Sequence, residues 1–277
     1  MRGLRRACAL GIGLGTLAVA AGPAVAGDPI MPLAEVQAGM RGEARTVVQG
    51  TTISTFPVSV LDVQQSSDGP GGALILARAE GPLMEQTGGV AEGMSGSPVY
   101  VTVSDGVPRV IGAVAYGAGD QAGVIIGITP IEQMLDSSAG ARAMERTGVT
   151  PGGPVRRVQH VAGRAAAVAL SRRHPDRLGL YPLSRWTIAG ASRPLVGPLT
   201  RALRSEGIRL TSIGPRTARP QQQLVPGATM GALLAGGDLV VGAIGTVTYV
   251  DGARVLGFGH TFLAAGRARF LLSDGYV

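Results

Sequence analysis

A mainly β chain is predicted by three observations. Val-, Ile- and Thr-rich runs recur at short intervals, Asp-Gly and Gly-Thr pairs punctuate them, and the composition couples 45% apolar residues to 44 Gly, 18 Pro and only 4% aromatics. Such a core must be assembled from Val, Ile, Leu and Ala between many tight turns.

The order of elements follows from local pattern. Residues 1–26 carry Arg2, Arg5 and Arg6, then the apolar stretch ACALGIGLGTLAVAA and an Ala-Val-Ala before Gly27, the layout of a cleavable secretory signal. An uncleaved anchor is the alternative, although this apolar core is shorter than the roughly 20 residues that span a bilayer. Cys8 lies inside the signal, so the mature chain offers no thiol for a disulfide or a thiolate metal site.

Residues 27–136 read as one β half. TVVQGTTISTFPVSVLDV predicts two strands around Gly50-Thr51, with Phe56, Val58 and Val60 on one face. GALILARA and GVIIGI are buried runs, and VYVTVSDGVPRVIGAVAY is a hairpin turning at Asp105-Gly106. TPIEQML opens a short helix in which Thr129, Pro130 and Glu132 would form a capping box.

Residues 137–224 form an Arg-rich connector. Its first part, to about residue 180, shows no period and reads as linker. Residues 183–213 predict strand, helix, strand, the helix carrying Leu195, Leu199 and Leu203 and stopping near Gly207. Residues 225–277 make a second β half whose hairpin turns at Asp251-Gly252 and leads to His260.

Charge divides along the same lines. Residues 27–150 hold 6 Arg and 13 acidic residues, whereas 151–220 hold 13 Arg with only Asp176 and Glu206, and lysine is absent throughout. The basic segment, with Arg172, Arg173 and Arg177, could bind a protein or an anionic envelope surface, or could simply be a solvated face against the acidic half. Nucleic acid is not expected, because no aromatic platforms accompany the arginines. No cofactor or metal is expected either: the histidines are scattered, and GIGLG is no dinucleotide fingerprint because it falls in the signal.

Chemistry concentrates in EGMSGSPVY, residues 92–100. Gly93 can turn its own amide and that of Ser95 into one small space, Gly96 leaves room for a substrate chain, and Pro98 launches a strand. That composes an oxyanion hole beside a serine hydroxyl, unless the stretch is only a Gly-Ser-Pro bend. A G-x-S-x-G elbow is excluded, since position 97 is serine and β sequence follows. G-x-S-G-x-P before a hairpin ending VIGAVAYG is the local pattern of double-barrel, trypsin-like serine peptidases.

TGGVAEGMSGSPVYV, continuing through VIGAVAYG to GITPIEQML, resembles the serine-bearing half of the SpoIVB peptidase family, and IGTVTYVDGARVLGFGHTF resembles its histidine-bearing half. With the lead-in MPLAEVQAGMRGEARTVVQG these blocks cover residues 31–135 and 225–277. The resemblance implies a trypsin-like double β-barrel, Ser95 as nucleophile, His260 as general base and an acidic residue fifteen positions before the serine, which is Glu80 here where the sporulation members have aspartate. Glu85 and Asp62 are alternative third members.

The chain departs from that family in several ways. The two halves stand in reversed order, GHT replaces GHP or GHV, and no PDZ-like segment is evident. The seventeen residues after His260 are few for half a barrel, so that half is expected to be incomplete or to close with strands from the middle segment. Met94 stands where many trypsin-like enzymes have the aspartate that pairs with a freed N-terminus, so activation by that ion pair is not expected.

His260, flanked by Gly259 and Thr261, is either the base or a buried structural histidine. His174 and His160 read as a charged-loop and a connector residue without orienting neighbours. The expected function is therefore an exported, extracytoplasmic serine endopeptidase acting on a protein substrate. The alternative is a non-catalytic exported binding module that uses the Arg-rich middle.

Overall fold

A computed structural model describes residues 27–65, 72–120, 122–139, 157–183, 185–204, 210–212, 221–260 and 269–277. The expected signal, residues 1–26, lies outside the described residues. Among the described residues no helix is long and apolar enough to cross a membrane.

After a 3-10 turn at Leu33–Glu35, the first half runs β1 (Arg41–Val47), β2 (Ile53–Gln65), β3 (Ala73–Ala79), α1 (Pro82–Thr87), β4 (Pro98–Thr102), β5 (Pro108–Ala118), β6 (Ile125–Pro130) and α2 (Ile131–Ala139). Strand order β4-β1-β2-β3-β6-β5, with β5 pairing back to β4, closes a six-stranded barrel. The period-2 pattern explains the filling: Phe56, Val58 and Val60 are buried while Thr55 and Pro57 face outward. Ile75, Ala77, Val99, Val101, Ile111, Ile126 and Ile128 complete the interior. Closure leaves this ring without a free edge.

The hairpin at Asp105-Gly106 forms as expected, Gly106 adopting φ +74° and the Asp105 carboxylate accepting from the Val107 amide at 2.9 Å and from Arg109. The capping box does not form. Thr129 and Pro130 remain in β6, and the Glu132 carboxylate instead accepts from the Leu33 amide at 2.8 Å, pinning the 3-10 turn to α2.

The stretch read as linker also differs where it is described. Residues 157–182 fold as β7 (Arg157–His160), α3 (Arg164–Arg173) and β8 (Arg177–Pro182), with β7 parallel to β8 and β8 antiparallel to β5. Ala-rich helix propensity and close approach account for this. Ala167 is fully buried where Gly119 and Gly179 lack side chains, since a Cβ on either would come within 2.6 Å of Ala167 backbone atoms. Residues 140–156 lie outside the described residues.

The expected strand-helix-strand follows as β9 (Arg185–Ala189), α4 (Arg193–Arg204) and β10 (Leu210–Ser212), with β10 parallel to β9. The predicted stop at Gly207 lies outside the described residues. The second sheet is completed by β11 (Thr229–Ala235), β12 (Val240–Asp251), β13 (Arg254–Gly257) and β14 (Leu271–Asp274), in the order β10-β9-β12-β11-β14 with β13 on β12. Trp186, Met230, Ala243, Val247 and Phe258 form its core. Two of its strands thus come from the middle segment. The chain is mainly β, and a closed barrel beside a second sheet is consistent with the expected trypsin-like double barrel.

Candidate active site

The GMSGS turn sits between α1 and β4, where two glycines with left-handed φ, +101° at Gly93 and +97° at Gly96, reverse the chain. Met94 is buried, and its carbonyl accepts from the Ser97 hydroxyl at 2.7 Å and from the Ser97 amide at 3.1 Å. The Gly96 amide donates to the Val114 carbonyl at 2.7 Å, and Val114 donates back to Ser97 at 2.9 Å. The turn is thereby locked onto β5.

Its outer side docks on the second sheet. Thr246 donates its amide to the Ser95 carbonyl at 2.7 Å and its hydroxyl to the Gly93 carbonyl at 3.2 Å, and the Thr248 hydroxyl donates to the Gly96 carbonyl at 2.7 Å. Gly96 is required by this approach, for a Cβ there would lie 2.0 Å from the Thr246 carbonyl oxygen and 2.5 Å from the Phe258 nitrogen.

The two sequence-distant blocks therefore meet. Ser95 is fully buried, and its Oγ donates to the Phe258 carbonyl at 2.5 Å, two residues before His260. Phe258 holds φ +65°, the left-handed region that a bulky residue enters only at a cost, and this aims its carbonyl at the serine. Gly259 follows with φ +69°, and a Cβ on it would lie 3.0 Å from Ala113 on β5. The His260 ring centroid stands 6.2 Å from that of Tyr116 on β5 and 6.2 Å from that of Phe258.

The expected oxyanion donor Gly93 gives its amide to the Leu183 carbonyl at 3.0 Å, so a peptide carbonyl already rests on it. The carboxylate candidates are placed elsewhere in the barrel. Glu80 follows β3, its amide donating to the Pro57 carbonyl at 2.9 Å; Asp62 is buried in β2; Glu85 is exposed on α1. In the barrel order β6 separates β3 from β5, the strand beside His260, and the geometry singles out none of the three.

His160 proves to have a neighbour. It closes β7 with its ring edge-on to Tyr116 at 4.8 Å, where desolvation holds its pKa below the ordinary histidine value. Burial likewise raises the pKa of the Tyr116 phenol. His174 caps the C-terminal end of α3 and is exposed, as are Arg172 and Arg173; Arg177 is half-buried and donates to Gln159 at 3.2 Å.

Sequence reasoning missed Tyr116, Leu183 and Phe258. Leu183 and Phe258 contribute through backbone carbonyls, which no side-chain pattern announces. Tyr116 lies in the VIGAVAYG block, but nothing in that pattern indicates its histidine neighbours.

Residues 11–135 match the family model of the SpoIVB peptidase S55, which bears out the resemblance for the serine-bearing part and supports a serine peptidase function in general terms. The histidine-bearing half lies outside that match. No curated protein and no solved structure matches the chain.

Proposed function

We propose that this SpoIVB-peptidase-like chain is an exported serine endopeptidase that cleaves protein substrates through an acyl-enzyme. The observation that carries the reading is the hydrogen bond from Ser95 Oγ to the Phe258 carbonyl, which joins the serine turn to the segment ending in His260.

Rotation of the Ser95 hydroxyl away from that carbonyl frees it for the His260 imidazole. Oγ then attacks the peptide carbonyl carbon while its proton passes to His260, and the amides of Gly93 and Ser95 hold the oxyanion. His260 returns the proton to the departing amine, and water repeats the sequence to release the acyl group. A carboxylate, with Glu80, Glu85 and Asp62 as candidates, would orient the imidazole and offset its charge.

A fluorophosphonate probe tests this directly. Ser95 should be labelled in the parent and Ser95→Ala should be silent, with His260→Ala slowed by about a thousand-fold or more. Labelling that is equal in the parent and Ser95→Ala would remove the catalytic reading. Among Glu80→Gln, Glu85→Gln and Asp62→Asn, the true third member is the one whose loss lowers kcat by about 10^4-fold with KM kept.

The second reading, a non-catalytic binding module, draws on the complete burial of Ser95 and on the exposed Arg172 and Arg173. It requires that neutralising Arg172, Arg173 and Arg177 weaken retention on an anionic matrix at low salt, with the loss shrinking as salt rises.

A further inference from the structure

We infer that the chain occupies its own cleft: Leu180–Leu183 lie along β5 as a bound substrate would, with Leu183 at the position preceding the bond to be cut. The inference rests on Ser95 being the nucleophile. It names what the same site accepts, an extended peptide with an aliphatic residue before the scissile bond.

A peptide presented to a serine hydroxyl needs antiparallel main-chain pairing to set its register and preorganised donors on its reacting carbonyl. On one edge β5 pairs with β4 as far as Ala113, and its other edge is taken by β6 through Gly117. Where β4 leaves toward the serine turn, the first edge of β5 would lie open. The segment of β8 fills it: Ala118 faces Leu180, Gly117 faces Tyr181 and Tyr116 faces Pro182. Leu183 then donates its amide to the Ala115 carbonyl at 3.0 Å and lays its own carbonyl on the Gly93 amide at 3.0 Å.

Barrel closure does not need β8, because the six-strand ring is complete without it. Nor does sheet pairing alone explain why the first carbonyl past the paired residues lands on the amide two residues before the serine. Side chains fit the same reading. Leu183 is fully buried in the apolar cluster that contains Val90, Met94 and Val114, around the serine turn, so a charged residue there would lose its hydration without a partner. Tyr181 uses the space above Gly117, where a Cβ would lie 2.7 Å from its ring. Pro182 lies opposite Tyr116, whose ring neighbours His260.

The test compares reaction at Ser95 with two peptidyl phosphonate esters, acyl-Tyr-Pro-Leu and acyl-Tyr-Pro-Asp, in the parent and in Leu183→Asp. Withdrawal of the tethered strand should speed the leucine probe in the variant by about tenfold or more, since a competent state populated as a minor fraction lowers apparent reactivity by that fraction. The leucine probe should outpace the aspartate probe in both proteins.

Because Leu183→Asp could fail to fold, hydrogen exchange on the parent gives an independent measure. Covalent labelling with the leucine probe should raise exchange at the Leu183 amide and its β8 neighbours. Equal probe rates in parent and folded variant, no preference for leucine, or unchanged exchange at Leu183 on labelling would each overturn the inference while leaving Ser95 a nucleophile. Failure of every probe, including the small fluorophosphonate, to modify Ser95 would instead remove the peptidase reading, and this inference with it.

Discussion

The serine-bearing barrel and the histidine-bearing sheet solve the burial problem differently. In the barrel every strand of the ring has two partners, and Phe56, Ile75, Val99, Ile126 and Ile128 are shut inside. In the sheet β14 and β10 are terminal strands, and Leu234, Leu239, Leu271 and Leu272 remain exposed at 38–59%. Ser95 thus stands on a self-sufficient scaffold, while the segment bearing His260 is steadied by docking on the serine turn. Activity should be sensitive to the seam out of proportion to the stability stored there.

The largest effect expected from this contrast is Phe56→Ala. Emptying the closed ring should cost about 3–5 kcal/mol, seen as a lowered denaturation midpoint common to the whole barrel. A cost no greater than that of a surface change would show that the ring is not the stabilising unit. Next comes Thr248→Val, which removes the donor to the Gly96 carbonyl at the seam and leaves that buried acceptor unpaired. It should cost about 1–3 kcal/mol and should lower the rate of Ser95 labelling further than Phe56→Ala does at temperatures where both remain folded. The smallest is Leu272→Ala on the exposed face of β14, expected within about 0.5 kcal/mol of the parent. A larger loss there would mean that the sheet is more enclosed than its terminal strand indicates.

Much of the fold was legible because the relevant signals are local. Alternation over 53–60 and the Asp-Gly turns at 105–106 and 251–252 fix strands and hairpins with no reference to the rest of the chain. Helix α3 was not legible as a packed element, because what holds it is the absence of side chains on Gly119, which follows β5 far away in sequence, and on Gly179 in the adjoining β8. Glu132 was assigned to a cap by spacing, yet the Leu33 amide competes for the same carboxylate. Among the candidate site residues, Ser95 and Gly93 could be proposed from residue type, and His260 from the family resemblance. The carbonyls of Phe258 and Leu183, and the burial of Ser95, depend on tertiary approach alone.

The short link between β8 and β9 carries a mechanical consequence. Two residues, Leu183 and Ser184, separate a strand hydrogen-bonded to the barrel sheet from one hydrogen-bonded to the second sheet. Two residues reach at most about 7 Å when fully extended, so an event that draws the sheets further apart than that must pull on the Leu183 carbonyl and its grip on Gly93. Exposure of the Ser95 hydroxyl and repositioning of His260 would then be timed by one movement, with the tether acting as a ripcord between the two sheets.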